Sequence, residues 1–91
     1  LINPRYSRFC LELLKKQKIR DRIPAKLPED VLVAHKTGLE KGVCHDAGII
    51  FMPKTDILVC VLTKHHNGNA KPSKNFIARA ARLAYNYGLS L

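Results

Sequence analysis

The sequence predicts an α+β fold, a three-stranded antiparallel sheet with one helix before it and one after it. Three observations carry that expectation. Apolar residues recur at helical spacing near both ends of the chain. Between them lie three β-prone runs, and the segments joining those runs are short and rich in turn formers, so the strands pair as an antiparallel meander. No internal repeat interrupts this order.

With 91 residues and 46% hydrophobic content, the chain makes one small domain at most, burying about 60 to 65% of its unfolded surface. Its apolar residues stand in periodic blocks, which excludes a disordered chain of low hydrophobicity. Asn3-Pro4 reads as a helix start, with Asn as N-cap and Pro at the first helical position. Tyr6, Phe9, Cys10, Leu13 and Leu14 follow at helical spacing, so the first helix is expected over 4–18. Pro24 and Pro28 make the stretch Arg20 to Glu29 a stiff connector, because each disfavours helix in the residue before it.

Val31 to Lys36 is the first expected strand, and Gly38 and Gly42 bracket the turn to the second, Val43 to Met52. Pro53 to Asp56 supplies another turn. The third run, Ile57 to Thr63, is apolar at nearly every position, as a strand covered on both faces must be. A polar loop from His65 to Lys71 leads to Pro72-Ser73, which opens a helix ending near Gly88 with Phe76, Ile77, Ala80, Ala81, Ala84 and Tyr87 in one stripe. The third strand would keep an unpaired edge if the chain ended here, an aggregation hazard. The chain is therefore expected to belong to something larger, and the fragment alone to self-associate.

Cys10, Cys44 and Cys60 each sit in an apolar run and are expected as buried thiols rather than a disulfide framework. No stretch of about 18 apolar residues is present, and no basic stretch followed by an apolar run opens the chain, so neither a membrane span nor an export signal is expected in it. The net charge of +9 is uneven. Both ends are basic and the middle is nearly neutral. Lys15, Lys16, Lys18, Arg20 and Arg22 with Lys71, Lys74, Arg79 and Arg82 thus present a rival function, a small basic module binding nucleic acid phosphates. Against it, no recognisable nucleic-acid motif accompanies the charge. His35, His45, His65 and His66 show no spacing of a metal site, and neither metal nor cofactor is expected.

Lys36-Thr37-Gly38 stands at the end of the first expected strand, where a cation, a hydroxyl and a residue without Cβ would face one ligand. Three common residues are weak evidence alone. Read in series, however, Ile23-Pro24-Ala25, Leu27-Pro28-Glu29, Val33-Ala34-His35-Lys36-Thr37-Gly38, His45-Asp46-Ala47-Gly48-Ile49-Ile50 and Leu58-Val59-Cys60-Val61-Leu62-Thr63 resemble the C-terminal third of class A β-lactamases and their penicillin-recognising relatives. Order and spacing agree over nearly the whole chain. The signature set of that family is K-T-G with S-x-x-K and S-D-N.

The resemblance implies that residues 1–91 are the C-terminal portion of a β-lactamase/transpeptidase-like domain whose sheet has five strands. It implies a serine hydrolase that forms an acyl-enzyme on a β-lactam or a related cell-wall peptide, exported or at a bacterial cell surface. Ser7, Ser73 and Ser90 are the only serines. None begins S-x-x-K or S-D-N, so the chain alone is expected to be inert and to need the N-terminal remainder of the domain as its partner. By the same resemblance, Lys36 places positive charge beside the nucleophile and the substrate carboxylate, and Thr37 donates a hydrogen bond to that carboxylate. Gly38 lets the substrate lie close, and the backbone N–H of Leu39 is one oxyanion-hole donor. Many class A enzymes carry an arginine on the next strand, where this chain has Asp46-Ala47-Gly48. By strand alternation His35 should face away from the substrate in a structural role, and Asp46 should hydrogen-bond or salt-bridge rather than act as an acid.

Overall fold

The computed structural model describes residues 3–66 and 68–91. Its elements run α1 (Pro4–Lys15), a 3-10 turn (Ile23–Lys26), β1 (Val33–Glu40), β2 (Val43–Ile50), β3 (Ile57–Lys64) and α2 (Lys71–Leu89). The strands form one antiparallel sheet in the order β1-β2-β3. The predicted fold class is the observed one.

Local chemistry accounts for the element ends. Asn3 Oδ1 accepts the N–H of Arg5 at 2.8 Å, capping α1 as its sequence predicts. The helix stops at Lys15 rather than continuing to 18: its apolar positions end at Leu14, the N–H groups of Lys16 and Gln17 close a tighter last turn on the Leu13 and Leu14 carbonyls, and Gln17 Oε1 accepts the Ile19 N–H. Lys41-Gly42 forms a two-residue hairpin turn in which Gly42 takes a φ of 81°, a conformation that favours glycine. β1 therefore extends to Glu40, and Lys36-Thr37-Gly38 lies inside the strand instead of at its end.

Along β2 burial has a period of two, with Cys44, Asp46, Gly48 and Ile50 buried. That face meets α2 and the 3-10 turn. The core joins Ile23 and Leu27 of the connector to Val33, Cys44, Ile50 and Val59 of the sheet and Ile77 and Ala81 of α2. The connector is thus part of the core and contains helical turns, because Pro24 stands in the first turn of its 3-10 segment, where a missing N–H costs nothing.

The terminal helices are rotated from their expected stripes. α1 buries no residue fully, and Tyr6, Phe9 and Leu13 are exposed. The half-buried face is Ser7, Leu11, Leu14 and Lys15, which also recurs at helical spacing. In α2 Ile77 and Ala81 face the core as expected, but Phe76 and Tyr87 are exposed while Ala78 and Gly88 are buried. Gly88 sits against Met52 and Ile57, so any side chain there would collide with both.

β3 departs from its reading in the same way. Ile57, Val59, Val61 and Thr63 turn toward the core, and alternation points Leu58 and Leu62 outward, 75% and 70% exposed. The apolar run is covered on one face only. Cys60 shares the outward face and Cys10 the open side of α1, so of the three free thiols only Cys44 is buried.

One close approach in the sheet has a measurable consequence. A Cβ added at Gly48 would stand 2.5 Å from His35 Cβ and 2.6 Å from the Ala34 carbonyl oxygen. Backbone cannot yield there without opening the β1–β2 ladder. Gly48→Ala is expected to cost about 1–3 kcal/mol or more, the range for overpacking a dense interior, as a lower urea midpoint with an unchanged m-value.

Candidate functional site

The outer edge of β1 is built by the ladder it forms with β2. The N–H of Phe51 donates to the Leu32 carbonyl at 3.0 Å, which makes these two a hydrogen-bonded pair. Alternation from that point gives Ala34, Lys36, Gly38 and Glu40 to β2 and leaves the backbone groups of Val33, His35, Thr37 and Leu39 on the free edge. The N–H of Leu39 therefore points to the edge, and its exposed side chain leans to the α2 side.

Side chains of the tripeptide divide between faces. Lys36 and Gly38 point to one face and Thr37 to the other, where it is half-buried. Lys36 nonetheless returns to the edge, because its exposed Nζ donates to the Thr37 carbonyl at 2.8 Å. Ammonium, hydroxyl-bearing residue and the free N–H of Leu39 thus gather along one strip of backbone. Within the chain a Cβ at Gly38 would meet His45 only at ordinary van der Waals distance, 3.7 Å. The protein interior does not require that glycine.

Beneath the strip lies a buried polar cluster. Asp46 is wholly buried, its Oδ2 accepts the N–H of Ile23 at 3.1 Å, and both of its oxygens lie 3.1 Å from His35 Nδ1. In the tautomer that carries its hydrogen on Nδ1, His35 donates and the carboxylate accepts. Arg22, 1% exposed, donates from Nε to Cys44 Sγ at 3.2 Å and from Nη1 to Asp21 Oδ1 at 3.0 Å. Lys74 of α2 closes on the other Asp21 oxygen at 2.9 Å. Partial burial pushes the Asp21 carboxyl up, but the Lys74 hydrogen bond and the charges of Arg22 and Lys74 outweigh it and hold the group below its ordinary value.

The geometry agrees with the structural parts expected of His35 and Asp46. Sequence reasoning missed the third member of that group, the Ile23 N–H, and it also missed the separate buried contact of Arg22 with Cys44. The available signal was Arg22 beside Ile23-Pro24, a cation at the start of an apolar stretch. The same observation takes Arg22 out of the basic surface named for the rival nucleic-acid reading, since Arg22 is interior. Lys15 is engaged with Glu12 and Phe51, Lys74 with Asp21, and Arg82 with the Lys26 carbonyl and the Tyr85 ring. Among the described residues no three histidine, cysteine or acidic side chains gather to hold a metal ion.

A profile of the beta-lactamase enzyme family matches residues 1–88. No individually curated protein is matched. Among solved structures the chain is similar to PBP-A, at a TM-score of 0.86 and 24% identity over 99% of this chain and 34% of that one. It is similar to a PBP-A variant in an acyl-enzyme complex with penicillin G, at a TM-score of 0.84 and 26% identity over 99% and 34%. A class A β-lactamase from Mycobacterium abscessus gives a TM-score of 0.83 and 28% identity over 94% and 34%. The chain spans about a third of the length of these relatives. With the profile running over nearly all of the sequence and the sheet and helices laid out as in class A enzymes, the chain belongs to the beta-lactamase enzyme family.

Proposed function

We propose that this chain is the substrate-binding part of a β-lactamase-like serine hydrolase that forms an acyl-enzyme on β-lactams or related cell-wall peptides. The observation that carries the reading is the outer edge of β1, where Lys36 Nζ folds back onto the Thr37 carbonyl beside the free N–H of Leu39. Lys36 supplies positive charge at this edge, Thr37 a hydroxyl donor for the substrate's carboxylate, and Leu39 an oxyanion-hole N–H. Gly38 keeps the edge open on the side the ligand approaches, a role consistent with its freedom from crowding inside the chain.

The nucleophile comes from an S-x-x-K segment, which this sequence does not contain. The N-terminal part of the domain is then the partner that supplies it, and the outward Leu58 and Leu62 of β3 offer apolar surface for that contact. An exported or cell-surface setting follows from such a substrate.

Fluorescent penicillin is expected to label a protein carrying both this segment and an S-x-x-K serine, and to leave the 91-residue chain unlabelled under the same conditions. Intact mass distinguishes the two. A seryl adduct on the 91-residue chain would show that its own serines react, which this reading excludes.

A further inference from the structure

Asp46 is the cross-strand partner of Thr37. Theirs is a pair without direct backbone hydrogen bonds, the kind in which side chains come closest, and both side chains point to the α2 side. A buried carboxylate beside a threonine hydroxyl would ordinarily take that hydroxyl as its donor. Here its donors are instead His35 Nδ1, which spans both oxygens, and the Ile23 N–H. Among the described residues the half-buried Thr37 hydroxyl makes no hydrogen bond.

A hydroxyl has one hydrogen to donate, and two carboxylates could claim it, that of Asp46 from below and that of a substrate from the edge. We infer that His35 is a positioning residue that occupies the Asp46 carboxylate and so keeps the Thr37 hydroxyl available to the substrate's carboxylate. Gly48 makes this possible, since His35 sits where a side chain at that position would have to be. The inference rests on the reading of Thr37 as a carboxylate donor and adds what holds it in that state.

Two measurements test it. The first needs no activity. In urea unfolding of the 91-residue chain, Thr37→Val is expected to change the folded-to-unfolded ratio by less than about twofold while His35 is present, because the hydroxyl is unengaged. In a His35→Phe background, where Asp46 turns to Thr37, the same substitution should lower the ratio by about tenfold, as loss of a hydrogen bond to a charged group does. A tenfold cost of Thr37→Val with His35 in place would overturn the inference, and this arm decides even where His35→Phe does not fold.

The second compares acylation by a penicillin with acylation by its methyl ester, in an enzyme that carries this segment and its nucleophile. His35→Phe should lower the preference for the free acid by about tenfold, as Thr37→Val does, and the two together by no more than either alone. His35→Asn, whose amide nitrogen takes the place of Nδ1 as donor to Asp46, should restore it. General loss of stability would lower both substrates alike. A preference that falls with Thr37→Val but survives His35→Phe overturns the inference and leaves the reading of the strand intact. A preference untouched by Thr37→Val overturns that reading itself, while the unfolding comparison still judges His35.

Discussion

Asp46→Ala is expected to remove about 3–5 kcal/mol of stability, because it orphans two buried donors, His35 Nδ1 and the Ile23 N–H, at about 1–3 kcal/mol each, and leaves a cavity besides. Native stability is typically about 0.05–0.15 kcal/mol per residue, so a loss of this size is a large one. The effect should extend beyond the sheet. Ile23 begins the 3-10 turn that fills the core beside Ile77 and Ala81, and its backbone is tied to β2 only through this carboxylate among the hydrogen bonds described. Asp46→Asn keeps an acceptor for Ile23 and should cost less, about 1–3 kcal/mol. Urea titrations of the three proteins give the comparison. Equal midpoints for the wild type and Asp46→Ala would mean that the connector is held by packing alone.

The outline of the fold was legible because hydrophobic period and turn chemistry are local. Asn3-Pro4, the Lys41-Gly42 hairpin and the alternation along β2 each state their own conformation within a few residues. What could not be read was which of two apolar stripes on a helix faces inward. α1 carries Tyr6, Phe9 and Leu13 on one side and Leu11 and Leu14 on another, and the choice is made by the groove over β1 rather than by the helix. The Lys36-Thr37-Gly38 tripeptide was visible as a pattern, but its placement inside a strand, with Lys36 folded to the edge, depends on a register set by Gly42. Burial of Arg22 was hidden because its partner Cys44 is distant in sequence and neutral in character.

Lys36→Ala carries the largest effect expected on turnover. Lys36 Nζ is exposed and bonded only to a carbonyl of its own strand edge, so removing it costs the fold little, within about 0.5 kcal/mol for a surface change. In the proposed function its charge acts instead on the edge where a substrate would lie. Removing one preorganised electrostatic donor typically lowers turnover by about 10²–10³, roughly 3–4 kcal/mol. In an enzyme that carries this segment and its nucleophile, kcat/KM should fall by about that factor while the melting temperature stays nearly constant. Lys36→Arg keeps the charge on a planar, differently shaped head and should lose less. Thr37→Ser retains the hydroxyl and should be nearly silent. The contrast between an intact fold and a hundredfold loss separates a role at the edge from a role in stability. If Lys36→Ala left kcat/KM unchanged, the strip of backbone at Thr37 and Leu39 would not be where the substrate binds.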